Sequence, residues 1–249
     1  MTFGLRTIND SNTVQIDSNY LNMNLSAQAT ITSLSASAYR TAYLISGGIS
    51  YGNTNTQQVY WFVRLHGDKI FFVVRPPTGT QVATSFVGNP LNRAPMAVIG
   101  DTSKPYRDVF LAAQTTTITN LDIFVFDSIP VSVDSAQYGV AVYNDSGQPV
   151  FSSTSAKPLK LVTNTVLSGA NVGVTSITVN ATKSYGFGWS FTGGRYHQSY
   201  PYSKVPCLYR FDSTTVKVGA ISSDIANITT GAIWDVYTDF GFVVDLTGM

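Results

Sequence analysis

The chain has 249 residues, of which 15 are basic and 14 acidic, for a net charge of +1. Charged residues make up only 12% of it, against about a quarter in an average globular protein. No block of like charge occurs, which argues against nucleic acid or an anionic membrane as partner. The lone Cys207 excludes an internal disulfide, and no apolar run approaches the roughly 20 residues of a membrane span.

All 14 acidic residues are Asp, and Glu is absent. Glu is a good helix former, whereas Asp prefers caps and turns. Ser, Thr, Val, Tyr and Phe are abundant, and no long stretch shows a 3.6-residue period. The composition predicts an all-β fold.

The chain opens on Phe3-Gly4-Leu5-Arg6-Thr7-Ile8-Asn9-Asp10-Ser11-Asn12. The pattern returns, 135 positions later and without a gap, as Tyr138-Gly139-Val140-Ala141-Val142-Tyr143-Asn144-Asp145-Ser146-Gly147. Gly4, Asn9, Asp10, Ser11 and Ser18 recur as Gly139, Asn144, Asp145, Ser146 and Ser153. Self-similarity at a fixed spacing reports architecture. Asn-Asp-Ser-Gly between apolar stretches is turn chemistry, with Gly147 able to take positive φ and Asn12 the next most tolerant choice. The turns are therefore placed at Asn9, Asp10, Ser11 and Asn12, and at Asn144, Asp145, Ser146 and Gly147. The arms are residues 3–8 with 13–17, and 138–143 with 148–152. The fold expected is two tandem, related β-sandwich-like units, 1–134 and 135–249, each opened by a β-hairpin.

Between the hairpins, residues 21–38 read as one or two exposed strands, and 43–49 as a short apolar run. Residues 59–65 and 69–75 flank His66-Gly67-Asp68 and read as a long hairpin, with His66 a solvated turn residue. Residues 76–107 hold Pro76, Pro77, Pro90, Pro95 and Pro105, so an extended loop is expected there. Residues 121–127 form a strand that closes the first unit, and the boundary falls at 128–137. The second unit continues through 157–162, strands near 172–180, 185–191, 206–211 and 214–219, and a closing strand at 236–246.

Signals for catalysis are scarce. The chain has two histidines, His66 and His197, and no HExxH, CxxC, GxSxG or P-loop pattern. Two His and one Cys do not suggest a zinc site. The acid of a retaining glycosidase is very often Glu, which is missing. No enzymatic activity, metal or cofactor is expected. The most distinctive segment is Tyr185-Gly186-Phe187-Gly188-Trp189-Ser190-Phe191, which on a strand puts aromatics on one face and tiny residues on the other. The aromatic face reads as core. The loop expected after it, 193–202, has the Tyr/Ser/Gly/Arg composition of recognition surfaces. Arg195, Tyr196, His197, Tyr200 and Tyr202 are the candidate contacts for a partner chain or a glycan.

The opening FGLRTINDSNTVQIDSNY, the internal YGVAVYNDSGQPVFSSTSAKPL and the strands ending LDIFVFD and GFVVDLTGM resemble small tail proteins of tailed bacteriophages. These typically begin with a phenylalanine-glycine-leucine, asparagine-x-x-glycine, aspartate-serine hairpin. The resemblance covers both hairpins and two strands, and departs from the pattern at Asn12, where Gly is usual. It implies a virion structural protein at the tail tip, baseplate or fibre base, and it transfers no catalytic residue. The implied partners are other tail proteins, further copies of the chain in a trimer or higher ring, and a host surface receptor. The N-terminus lacks the basic and apolar regions of a signal peptide, as expected of a virion protein made in the host cytoplasm. Alternatives are a module that binds a host glycan or pilus, and a capsid decoration protein.

Overall fold

The computed structural model describes residues 6–8, 14–17, 23–36, 40–45, 48–51, 58–85, 94–113, 117–129, 133, 138–154, 157–167, 174–190, 196–197, 200–210, 213–224 and 239–249. Every regular element among them is a strand. In chain order these are β1 (Arg6–Ile8), β2 (Val14–Asp17), β3 (Asn24–Thr32), β4 (Leu34–Ala36), β5 (Arg40–Ile45), β6 (Gly48–Tyr51) and β7 (Gln58–His66). Then follow β8 (Phe71–Arg75), β9 (Gln81–Ser85), β10 (Ala97–Ile99), β11 (Tyr106–Ala113), β12 (Asn120–Asp127), β13 (Ala141–Tyr143) and β14 (Pro149–Ser152). The last are β15 (Leu161–Leu167), β16 (Val174–Thr178), β17 (Tyr185–Ser190), β18 (Tyr196–His197), β19 (Tyr200–Arg210), β20 (Thr215–Asp224) and β21 (Asp239–Asp245).

Two large sheets face each other. One has the order β15-β21-β17-β8-β12-β3. The other runs β10-β7-β11-β9-β19-β20-β5-β6, with β4, β16 and β18 attached at its sides. The core between them takes Val59, Trp61, Val63 and Leu65 from β7, Val109 and Leu111 from β11, and Leu121, Ile123 and Val125 from β12. This every-second-residue pattern is what a pleated strand with one face on the core produces. Strand β3 shows it plainly: Ala27, Ala29 and Ile31 pack against the core while Gln28, Thr30 and Thr32 are exposed. The chain then crosses from one sheet to the other at Ser33. Ser33 is buried, and its N–H and Oγ are both bonded to the backbone of Thr119.

A second apolar cluster lies on the other face of the six-stranded sheet. Val73, Phe124, Phe126, Val244 and Leu246 are buried there, with Leu25, Leu159 and Met249 against them. The alternation at 185–189 serves both clusters. Tyr185 and Phe187 enter the central core, as the sequence pattern predicts. On the opposite side a Cβ on Gly186 would sit 2.6 Å from Val73 Cγ2 and 2.8 Å from Leu246 Cδ1. The tiny residues are thus what let the outer cluster close over β17.

The stretch 59–75 is not a hairpin. Strand β7 pairs with β11, β10 and β4, whereas β8 pairs with β12 and β17 in the opposite sheet. Residues 66–70 arch between sheets because their N–H groups are claimed elsewhere. Gly67 N–H donates to the Pro105 carbonyl (2.9 Å). The N–H groups of Asp68 and Lys69 donate to the Asp127 carboxylate at 2.8 and 2.6 Å. The solvated His66 is likewise corrected: it is 8% exposed, and its Nδ1 donates to the Lys104 carbonyl at 2.8 Å. The expected loop over 76–107 contains β9 and β10. Pro95 and Pro105 fall just before β10 and β11, so they punctuate strands rather than prevent them.

Each large sheet draws strands from both sides of residues 128–137. Val74 of β8 pairs with Phe187 of β17, and β9 pairs with β19 through Val82 and Leu208. The two stretches 1–134 and 135–249 therefore share one core and both large sheets.

Candidate partner-binding surfaces

The two hairpins stand outside both large sheets, each as a two-stranded sheet of its own. In the first, Arg6 pairs with Asp17, Thr7 with Ile16 and Ile8 with Val14, with a bulge after Thr7. In the second, Ala141 pairs with Ser152, Val142 with Phe151 and Tyr143 with Pro149, with a bulge after Val142. Adding 135 to every number of the first hairpin gives the second, bulge included. Bulges set local twist and bend, so the two hairpins share twist as well as register.

The described turn explains that geometry. Asn144 Oδ1 accepts from the N–H of Ser146 (3.1 Å) and of Gln148 (2.8 Å), an Asx turn. The Gly147 N–H closes the turn onto the Asn144 carbonyl at 2.9 Å. Gly147 has φ +74°, the left-handed conformation that a type I turn followed by a bulge requires. Asp145 lies at the exposed tip. Asn9, Asp10, Ser11 and Asn12 lie outside the described residues. Around the second hairpin, Tyr138 is fully exposed, Val140 is 60% exposed and Tyr143 is 50% exposed.

The predicted contact set falls on one hairpin of the larger sheet. Tyr196 and His197 form β18, and Tyr200 and Tyr202 begin β19, with Tyr196 paired to Ser203 and His197 to Tyr200. The register brings His197 and Tyr200 opposite each other; Arg195 lies outside the described residues. Sequence reasoning expected a loop here from the Tyr/Ser/Gly/Arg composition of residues 193–202, whereas residues 196–197 and 200–202 lie on strands.

A third surface was missed altogether, because the prolines ahead of β11 were read as marking one extended loop over 76–107. On the outer face of the larger sheet, Arg64 Nε and a terminal guanidinium nitrogen donate to the two oxygens of Asp108 at 2.7 and 2.9 Å. The guanidinium carbon lies 3.8 Å from the centre of the Tyr106 ring, a cation–π contact. Tyr106 itself is 58% exposed. The hydrogen bond from Arg64 holds the Asp108 carboxyl below its ordinary range, and the same bond raises Arg64. At the neighbouring arch, Lys104 Nζ bonds Asp68 at 2.6 Å, which raises the lysine.

A polar groove of about 310 Å3 opens on the six-stranded sheet between Gln28, Thr30, Arg75, Asp122 and Phe124. Arg75 bonds Asp122 (2.9 Å) and Ser184 (2.6 Å), and Thr30 donates to Asp122 at 2.6 Å. Its charges are matched within the groove. Among the described residues no three His, Cys or Asp side chains gather as metal ligands would. No described helix is long and apolar enough to cross a membrane.

No protein-family model, curated protein or solved structure matches this chain.

Proposed function

We propose that this chain is a non-enzymatic structural protein of a bacteriophage tail, at the tail tip, baseplate or fibre base, where it docks on neighbouring subunits. The observation that carries the reading is the hairpin built twice to one register and one bulge, outside both large sheets. Two copies of one small element, each hydrogen-bonded outside both large sheets, suit an assembly component better than a catalyst. The exposed Tyr138, Val140 and Tyr143 and the low charge point to contacts made by apolar and aromatic side chains rather than ion pairs. Gradient-purified tailed particles from the cell that carries the gene test it. An antibody to the chain should label the tail. Particles free of the chain, or label confined to the head, would reject the reading in favour of no virion role or capsid decoration.

The receptor-binding reading is favoured by one feature, the β18–β19 hairpin, a short segment that holds Tyr196, Tyr200 and Tyr202 and sets His197 opposite Tyr200. Replacing all three tyrosines with Ser separates the readings. Loss of adsorption with particles intact supports receptor binding, and loss of the subunit from particles supports docking.

A further inference from the structure

We propose that the polar groove on the outer face of the six-stranded sheet binds a neutral glycan, with Gln28, Thr30, Arg75 and Asp122 reading its hydroxyl groups. This goes beyond the docking reading and does not depend on it. None of the groove residues belongs to either small hairpin or to the β18–β19 hairpin.

Sheet register builds the site. Thr30, Asp122 and Arg75 stand opposite one another on β3, β12 and β8, and Ser184 continues the row at the entrance to β17. The row is hydrogen-bonded throughout. Thr30 Oγ1 donates to Asp122 Oδ1 at 2.6 Å, Arg75 Nε to Asp122 Oδ2 at 3.0 Å, and Arg75 Nη1 to Ser184 Oγ at 2.6 Å. Ser184 is itself held, its carbonyl accepting from the Leu246 N–H at 2.8 Å. The Arg75 guanidinium carbon lies 5.2 Å from the centre of the Phe124 ring. Side chains already locked by their neighbours lose little freedom when a ligand arrives. In the next row Gln28 stands opposite Phe124 and is exposed at the groove. Its amide has no hydrogen-bond partner among the described residues.

The remaining bonding capacity selects the ligand. A guanidinium has five N–H donors, so each terminal nitrogen of Arg75 keeps an N–H for a ligand. Asp122 Oδ1 keeps a lone pair, and the Thr30 oxygen and the Gln28 amide add acceptors and donors. Donors and acceptors thus lie side by side, which suits hydroxyl groups, each able to donate and accept at once. Ions fit poorly, because Arg75 and Asp122 neutralise each other 2.9 Å apart. An anion drawn to the guanidinium meets the carboxylate beside it, and a cation drawn to the carboxylate meets the guanidinium. The groove of about 310 Å3 is at the low end of small-molecule sites and holds about one or two sugar rings.

A printed array of neutral and acidic oligosaccharides, probed with the labelled full chain, tests this, followed by calorimetry against each bound oligosaccharide in solution. Binding to a subset of the uncharged glycans is expected. Its strength should change less than about twofold between about 50 and about 500 mM NaCl, because no net charge is engaged. Gln28→Ala removes donors and an acceptor from an exposed position and is expected to weaken binding about tenfold, with the melting of the wild type. Thr30→Val removes the hydroxyl and is expected to weaken binding as well, and it serves if Gln28→Ala does not fold. Glycan bound only when immobilised identifies a surface display as the source, and glycan bound also in solution a free saccharide; both support the site. A chain that binds no uncharged glycan would overturn the proposal. So would binding confined to acidic glycans, or an affinity that falls about tenfold with that added salt. Binding that survives both Gln28→Ala and Thr30→Val overturns it too, and its loss on replacing Tyr196, Tyr200 and Tyr202 would then place the glycan on the β18–β19 hairpin. Particle labelling tests the tail reading and the array tests the groove, so either can fail without the other.

Discussion

Asp127 ends β12 with only 2% of its surface exposed, and its two oxygens accept three backbone N–H groups, from Asp68, Lys69 and Ser128, at 2.6 to 2.8 Å. One carboxylate thus satisfies the arch between the sheets. Removing it takes the acceptor from three part-buried donors, and each donor left unpaired costs about 1–3 kcal/mol. Asp127→Ala is expected to lower stability by about 2–4 kcal/mol in urea unfolding, and Asp127→Asn by less, because one amide oxygen still accepts. Phe187→Ala opens a cavity in the central core and should cost about 3–5 kcal/mol. A Cβ at position 186 meets Val73 and Leu246 at less than 3 Å. Gly186→Ala is therefore expected to cost about 1–3 kcal/mol through overpacking, measured by the same unfolding curves. At this scale some of the chemistry was legible. The Tyr/Gly alternation at 185–188 announced its own two faces. Nothing near His66 announced its burial, because Gly100, Lys104 and Tyr106, which lie against it, are distant in sequence.

Between strands, the ladder of β7 and β11 is clamped on its outer face by Arg64 and Asp108. The folded-state Asp108 carboxyl lies below its ordinary range through the Arg64 hydrogen bond. A depressed carboxyl contributes stability that is present above its unfolded value, about 3.9, and is lost as pH falls through the folded one. Melting curves of wild type and Asp108→Asn should therefore differ at pH 7 and converge towards strongly acid pH. The gap should be small, because exposed pairs contribute about 0–1 kcal/mol, and added salt should narrow it further. The hairpins show the opposite balance between local and distant causes. In the second hairpin the register is set by an Asx turn, a positive-φ glycine and a bulge, all within a few residues, and the repeated motif made that legible before any fold was known. Strand β11 was invisible because Tyr-Arg-Asp-Val-Phe-Leu-Ala-Ala has no flanking hairpin turn and no clean alternation. It becomes a strand by lying between β7 and β9.

Across the whole molecule, the sheets tie the two sequence halves together. Residues 1–134 alone would leave β8 without β17, and β9 without β19. A fragment of those residues is expected to lack a cooperative unfolding transition, whereas the full chain shows one. Far-UV circular dichroism during urea titration reads the difference.

The sequence by itself determined an all-β protein, two copies of one hairpin, and a strand at 185–190 with an aromatic face for the core and a tiny face for close approach. These follow from turn chemistry, residue size and period-two alternation, which act over a few neighbouring positions. Only the tertiary structure decided that β7 and β8 part company across an arch, that His66 is enclosed, that β11 exists, and that both large sheets mix early and late strands. A strand's pattern states that it wants neighbours on both edges and a core on one face or both. Which strand supplies them is settled by competition among every edge in the chain, and that competition has no local trace.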